Sequence, residues 1–149
     1  MAKAQQAAKT SEPAQAQMPM PEVLGGIVAY LNVEGAVKAS EFYAKAFGAK
    51  EVARHPVDDK GRTMHIHMHL NGASLMLGDP FPEHGYAHKP AQGFDLFLNV
   101  EDVDGAWERA VKAGAEVAMP LQVMFWGARY GQLRDPFGIS WVFNAPVKE

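Results

Sequence analysis

The sequence predicts an α+β protein made of two tandem βαβββ modules. Three observations predict it: the chain of 149 residues repeats itself, each copy contains one helical pattern that ends at a glycine, and three strand candidates follow each helix. The repeat is marked by the string L-N-V-E, which occurs at positions 31–34 and again at positions 98–101. An offset of about 67 residues is too long for a common solenoid repeat, so it indicates a duplicated half-domain.

The first module begins with the strand candidate Gly25–Val33, which is rich in β-branched and aromatic residues. Apolar residues at helical spacing predict a helix over Val37–Phe47, and Gly48 can adopt the left-handed conformation that ends a helix. Three further strand candidates follow at Lys50–Val57, Thr63–Leu70 and Ala73–Leu77. The last two are separated by Asn71-Gly72, a dipeptide typical of a two-residue type I′ hairpin turn.

The second module repeats this order. A strand candidate at 94–100 precedes a helix predicted over Val103–Ala113, with Asp102 or Asp104 as its N-cap and Gly114 as its end. The strand candidates that follow this helix are Glu116–Pro120, Ala128–Arg134 and Ile139–Asn144. The segment D-P-F-G at 135–138 predicts the turn between the last two strands, so Asp135 is interpreted as a turn residue.

Composition divides the chain into a tail and one folded domain. Residues 1–22 are rich in Ala, Gln and Pro and hold no aromatic residue, so we expect a flexible tail there. The domain is predicted over 23–145, with modules at 23–79 and 94–145. The loop that joins them, 80–93, contains several prolines and glycines, which favours irregular structure.

Charge and cysteine content exclude several classes of function. The net charge of −3 and the isoelectric point near 6.1 give no sign of a surface for nucleic acid or membrane. The chain has no cysteine, which excludes disulfides, thiolate catalysis and zinc sites built on cysteine. No run approaches the roughly 18 apolar residues of a spanning helix, and we expect a cytoplasmic protein.

The stretch M-H-I-H-M-H-L at 64–70 places His65, His67 and His69 at alternate positions. In a strand, this spacing sends the three imidazoles to one face and the apolar residues between them to the other face. The histidines could bind a metal ion, exchange hydrogen bonds and protons with a ligand, or form an ordinary solvated polar face. The direction in which this face points decides among these alternatives.

The segments E-F-Y-A-K-A-F-G-A (41–49), L-M-L-G-D (75–79), N-V-E-D-V-D-G-A-W-E-R-A-V-K-A-G-A-E-V (99–117) and F-W-G-A-R-Y-G-Q-L-R-D-P-F-G-I-S-W (125–141) carry a family resemblance. Together they resemble the vicinal oxygen chelate superfamily of glyoxalases, bleomycin-resistance proteins and dioxygenases, in particular its PhnB-like (3-demethylubiquinone methyltransferase-like) branch. The resemblance implies that the two modules form a U-shaped mixed sheet around a cup. It also implies a homodimer, in some members with exchanged modules.

Metal-dependent members of this superfamily place four ligands in the cup, and here the resemblance puts those positions at Val28, Met76, Asp95 and Val142. Only Asp95 could bind a hard or borderline divalent ion, because valine has no ligating atom and a thioether suits soft ions. The usual metal site is therefore expected to be absent, and no cofactor is expected. A divalent metal remains an alternative through a displaced site formed by His67 and Asp95.

The hairpin turn fixes the register of its two strands and pairs His67 with Met76. Since the resemblance places Met76 in the cup, His65, His67 and His69 are expected to line it. Trp126, Arg129 and Tyr130 are the other ligand-binding candidates, together with Phe97, which shares the face of Asp95. An aromatic ring and a guanidinium could clamp a planar or anionic ligand. Alternatively, Trp126 and Tyr130 pack at the sheet edge or a dimer interface, and Arg129 pairs with an acid.

Two hypotheses of function follow from these candidates, and a third is that the cup is vestigial and the protein acts through its dimer surface. In the first, the protein binds a small aromatic or anionic molecule in the cup without the usual metal and without turnover. In the second, it is a glyoxalase-type lyase or isomerase whose displaced histidine and aspartate site holds a divalent metal. The sequence leaves open whether the protein is an enzyme.

Overall fold

The computed structural model describes residues 20–148; the predicted tail therefore lies largely outside the described residues. Two helices and eight strands are present in chain order, and the two modules have the same sequence of elements. Neither helix in this part of the chain has both the length and the apolar character that crossing a membrane requires. The elements are β1 (Ala29–Asn32), α1 (Ala36–Phe47), β2 (Lys50–Arg54), β3 (Ile66–Leu70), β4 (Ala73–Gly78), β5 (Leu96–Asn99), α2 (Val103–Ala113), β6 (Glu116–Val123), β7 (Ala128–Arg134) and β8 (Ser140–Pro146).

Each module forms a four-stranded mixed sheet. The strand order is β1-β4-β3-β2 in the first sheet and β5-β8-β7-β6 in the second, and only the β1–β4 and β5–β8 pairs are parallel. Asn71 and Gly72 both have positive φ, as a type I′ turn requires, and this turn pairs His67 with Met76 as predicted. The structure confirms the predicted fold class, an α+β protein of two tandem βαβββ modules.

One hydrophobic core serves both modules. Tyr43 and Phe47 lie on α1 of the first module, yet their rings contact Trp141 on β8 of the second module at centroid distances of 5.3 and 4.3 Å. Trp107 of α2 packs against Phe143 of the same strand. The inner faces of both sheets are therefore covered by helices, and their outer faces are left free of them.

Prolines explain where two strands differ from their predicted bounds. The prediction for β2 ran to Val57, but the strand ends at Arg54, shortly before Pro56, which has no N–H to donate to a ladder. The prediction for β6 ended at Pro120, whereas the strand continues to Val123. Pro120 is accommodated because β6 is an edge strand and its pairing with β7 is irregular between Met119 and Gln122.

The loop between the modules is more regular than predicted. Pro82–His84 forms one turn of 3₁₀ helix, which Gly85 closes in the left-handed conformation. Phe81 and Tyr86 flank this turn and exchange backbone hydrogen bonds of 2.7 and 3.0 Å. Part of the linker thus folds as a compact knuckle of residues 81–86.

Helix α1 is capped from a distance. Its own N-cap residue, Gly35, has no side chain, and the Asp79 carboxylate at the end of β4 takes that role. Oδ1 of Asp79 accepts hydrogen bonds from the N–H groups of Gly35 and Ala36 at 2.8 and 3.0 Å, and Oδ2 accepts from Thr63. Helix α2 is capped by its own N-cap residue, Asp102, which is one of the two N-cap candidates predicted from the sequence.

Asp135 is a turn residue, as predicted, and it also joins the two modules. Its buried Oδ1 accepts hydrogen bonds from the backbone N–H groups of Phe137 and Ile139. Oδ2 accepts the Tyr43 hydroxyl of the first module at 2.6 Å and the Trp141 indole N–H at 2.9 Å. Burial, together with this carboxylate, raises the pKa of Tyr43, which therefore stays protonated and donates.

Replacement of Asp135 by alanine is expected to lower the free energy of unfolding by about 3–4 kcal/mol, because four buried donors lose their acceptor. Tyr43→Phe removes one of the four bonds and is expected to cost about 1–2 kcal/mol. Chemical denaturation at one fixed protein concentration measures both values. Exposed Asp59 provides the control, and an Asp135→Ala protein as stable as Asp59→Ala would contradict the role given to Asp135.

Candidate functional site

Each sheet has an outer face that no helix covers, called here its open face. On the first sheet this face carries Tyr30, His67 and Met76, which are cross-strand neighbours, with His69 further along β3 and His65 just before its start. Ile66, Met68 and the other intervening residues are buried against the helices. The predicted alternation of the histidine stretch is therefore present.

The histidines on this face form a continuous row of four rings. Ring centroids lie 4.9 Å apart for His55 and His65, 6.4 Å for His65 and His67, and 5.1 Å for His67 and His69. The sequence argument missed His55. It joins the row because its backbone N–H donates to the His65 carbonyl just beyond the end of β2, where the two chains still run side by side.

At one end of the row, His67 and His69 hold residues 22–24, the chain segment that leads into β1. His67 Nε2 lies 2.7 Å from the Ser74 hydroxyl, which also accepts the N–H of Leu24. His69 Nε2 lies 2.8 Å from the carbonyl of Glu22, and because a carbonyl only accepts, His69 carries its proton on Nε2. His67 is almost fully buried beneath this arrangement.

Further along the row, His65 contacts Tyr30 of β1. The Tyr30 hydroxyl donates its single proton to the Met64 carbonyl at 2.6 Å, and its oxygen lies 3.1 Å from His65 Nδ1. Since that hydroxyl has no second proton, Nδ1 of His65 must be the donor in this contact. The remaining nitrogen of neutral His65, Nε2, is then an acceptor.

Two histidines of the row, His65 and His67, have lowered pKa values. Burial lowers the pKa of His65, and the neighbouring His55 and His67 lower it further. Burial also lowers the pKa of His67, with His69 as the second cause. Imidazoles that stay uncharged present one donor and one acceptor each, so this face offers hydrogen bonds more than positive charge.

The open face of the second sheet carries an aromatic cluster, formed by Phe97, Trp126 and Tyr130. Ring centroids lie 6.4 Å apart for Phe97 and Tyr130 and 5.5 Å apart for Trp126 and Tyr130. Phe97 is 54% exposed and Trp126 is 51% exposed, which is unusual for large aromatic side chains. The structure therefore brings together three of the predicted ligand-binding residues.

Arg129 does not join this cluster. It precedes Tyr130 on β7, so strand alternation sends its side chain to the helix side of the sheet. There its guanidinium binds the carboxylate of Asp104 on α2 at 2.6 and 3.1 Å. Hydrogen bonds from Arg129 also lower the pKa of Asp104. Trp126 and Arg129 therefore do not form the clamp suggested by the sequence. Arg129 instead pairs with an acid, which was the alternative expectation.

The four family metal positions do not provide a ligand set for a divalent ion. Met76 pairs with Tyr30 and Val142 pairs with Phe97, so both lie in the expected register, but one has a thioether and the other no ligating atom. Asp95 accepts a hydrogen bond from Ser140 on the second sheet, whereas His67 lies on the first. Among residues 20–148, no group of three or more His, Asp or Glu is placed to hold a metal ion.

Comparisons with known proteins agree with this fold. An uncharacterized protein of Mycobacterium bovis is 39% identical over 126 residues, which cover 80% of this chain and 82% of that protein. The structure of the PhnB protein from Bacillus cereus is similar with a TM-score of 0.64 and 25% identity, covering 81% of this chain and 99% of that one. TnmS3, an antibiotic binding protein from Streptomyces sp. CB03234, is similar with a TM-score of 0.61 and 28% identity, covering 87% of this chain and 99% of that one.

The family assignment rests on nearly the whole described chain. The sequence profile of the Glyoxalase/Bleomycin resistance protein/Dioxygenase superfamily matches residues 24–143, which include both modules and both open faces. This is the superfamily that the motifs at 41–49, 75–79, 99–117 and 125–141 resemble. The chain belongs to the Glyoxalase/Bleomycin resistance protein/Dioxygenase superfamily.

Proposed function

We propose that this protein binds a small aromatic molecule between the aromatic cluster of its second sheet and the histidine row of its first sheet. The observation that carries the proposal is the cluster of Phe97, Trp126 and Tyr130, in which the Tyr130 ring contacts the other two on a face that no helix covers. Exposed aromatic side chains in contact form a surface on which a planar ligand can stack. The similarity to TnmS3, an antibiotic binding protein, supports the same class of ligand.

The charges of the site favour an aromatic ligand over an anionic one. Arg129, the cation expected to bind an anion, is already paired with Asp104. His65 and His67 have lowered pKa values and are uncharged at neutral pH. The histidine row therefore selects a ligand by hydrogen bonds to its polar substituents, while the aromatic cluster supplies the contact area.

A second copy of the chain completes the cup in this proposal. Within residues 20–148, no side-chain hydrogen bond or aromatic contact joins the open face of one sheet to the open face of the other. Tyr30 on the first open face is as exposed as Phe97 on the second. If the first sheet of one chain faces the second sheet of its partner, each dimer holds two cups, and both kinds of wall become partly buried.

The side chains at the family metal positions favour binding without metal-assisted turnover. The family positions offer one carboxylate, and the other three positions hold no side chain that binds a hard or borderline divalent ion. The lyase or isomerase alternative requires retained metal. Metal content by inductively coupled plasma mass spectrometry, on protein purified without chelator, separates the two functions, and one equivalent lost in His67→Ala would favour the enzyme.

Trp126→Ala is expected to weaken the binding of a planar aromatic ligand by about ten- to thirtyfold, because a central stacking surface is lost. Isothermal titration calorimetry with bleomycin and daunorubicin as probes measures this change. Val111→Ala, which removes a partly exposed apolar side chain from α2, is the control and should leave affinity unchanged. A folded wild-type protein that shows no saturable binding to either probe would contradict the aromatic proposal.

Complementation tests whether the cup is shared between two chains. His65→Ala damages the first sheet only, and Trp126→Ala damages the second sheet only. If each cup combines sheets from two chains, a mixed dimer of these variants regains one intact site per two chains. If both walls belong to one chain, mixing restores nothing. Calorimetric stoichiometry after the two variants are unfolded and refolded together distinguishes these results.

The histidine row predicts a pH dependence of stability. His65 and His67 have folded-state pKa values below the ordinary value of about 6.5, so in that range the unfolded chain binds more protons than the folded chain. Their contribution is therefore complete above pH ~6.5 and is lost as the pH falls through the folded-state pKa values. Urea denaturation between pH 5 and 8 should show this loss. His67→Gln should reduce the slope, whereas replacement of exposed His84 by Gln should not.

A further inference from the structure

A cleft of about 340 Å³ lies beside Tyr30, the residue of β1 that contacts His65 of the histidine row. It is bounded on one side by β1 and β4 and on the other by the knuckle of residues 81–86. Its lining includes Tyr30, Asn32, Met64, Gly78, Phe81 and Tyr86. A volume of this size is within the range of small-molecule sites, which begins at roughly 300 Å³.

Three aromatic rings and a thioether give the cleft its apolar walls. Phe81 is buried, whereas Tyr30, Met64 and Tyr86 are 55%, 52% and 66% exposed. Rings and a methionine sulfur are the side chains that best contact the faces and edges of another aromatic ring. The sheet side of the cleft requires glycine at position 78, because a Cβ there would overlap the Met64 carbonyl and crowd the Tyr30 hydroxyl.

The outer wall of the cleft is held in place. Arg62 donates hydrogen bonds to the carboxylates of Asp58 and Glu83, and its guanidinium lies 4.4 Å from the centre of the Phe81 ring. The backbone bonds between Phe81 and Tyr86 close the knuckle itself. The cleft is therefore a preformed site, and a ligand need not order this wall when it binds.

The polar groups at the cleft favour a neutral ligand with a hydroxyl group. His65 is not part of the lining, but its ring centroid lies 5.6 Å from that of Tyr30, which is, and its Nε2 is the acceptor left by the proton assignment above. Asn32 presents an exposed side-chain amide that can donate. Asp79 also lines the cleft, with its carboxylate bonded to Gly35, Ala36 and Thr63, and its negative charge disfavours an anion.

We propose that this cleft binds the hydroxylated aromatic ring of a neutral phenolic ligand. The ring packs among Tyr30, Phe81 and Tyr86, and its hydroxyl donates to His65 Nε2. This inference rests on the proposed function, because it specifies the ligand class and the place of one ring within the larger site. The remainder of the ligand extends along the histidine row toward the aromatic cluster of the second sheet.

Two probes that differ by one proton donor test the inference. At pH 7, 2-naphthol is expected to bind about tenfold more tightly than 2-methoxynaphthalene, because only the former can donate to His65. Titrations followed by ¹H–¹⁵N correlation spectra should shift the amides of Asn32, Met64 and Tyr86. Saturable shifts confined to Trp126 and Tyr130 would overturn the cleft and leave aromatic binding by the second sheet intact. No saturable shift at the cleft in millimolar 2-naphthol would also overturn it.

Variants separate the hydrogen bond from the stacking contact. His65→Phe should bring the two probes to the same affinity, and Tyr86→Ala should weaken both about equally, by roughly fivefold. Val57→Ala, an exposed apolar change elsewhere in the first module, should alter neither. A preference for 2-naphthol that persists in His65→Phe would overturn the assigned acceptor. Unchanged affinity in Tyr86→Ala would overturn the aromatic wall, and neither result affects the calorimetric test of antibiotic binding.

Discussion

The buried Asp135 carboxylate holds the two modules together. It accepts hydrogen bonds from Tyr43 of the first module and Trp141 of the second, and the rings of these two residues are packed against each other. A carboxylate with four donors and no cation is stable in a core only if every donor remains in place. The contact therefore fixes α1 against the inner face of the second sheet. Because both helices are used on inner faces, both open faces stay available for function.

The two open faces began as copies of one another and now differ in chemistry. In register, His67 of β3 corresponds to Gln132 of β7, since His67 pairs with Met76 and Gln132 pairs with Val142. His65, just before β3, corresponds to Tyr130. Tyr30 likewise corresponds to Phe97. One wall now consists mainly of hydrogen-bonding groups and the other mainly of aromatic rings. The metal positions lie within the same register, and neither wall retains a set of ligating side chains.

Local sequence patterns predicted the fold because they act over short distances. Gly48 and Gly114 end their helices, Asn71-Gly72 turns the hairpin, and strand alternation separates His67 from Met68. The same alternation places Arg129 and Tyr130 on opposite faces, and applying it to β7 would have separated Arg129 from the aromatic cluster.

Long-range contacts could not be predicted in this way. Asp79 caps a helix that begins more than 40 residues before it, and Asp135 binds a tyrosine 92 residues away. His55 joins the histidine row only because the chain beyond β2 continues beside β3. The knuckle of residues 81–86 depends on contacts with Arg62 from another loop. The prolines and glycines of the segment could not reveal these contacts, and by themselves they indicated irregular structure.

In the proposed mode of binding, the chemical difference between the two walls also sets the direction in which a ligand lies. A duplicated fold with identical walls would accept an elongated ligand in either of two orientations, related by the pseudo-twofold symmetry of the modules. Here a polar end gains hydrogen bonds only beside His65 and Tyr30, whereas an apolar polycyclic end gains contact area only beside Trp126 and Phe97. Divergence of the repeat thus converts a symmetric container into one that distinguishes the head of a molecule from its tail.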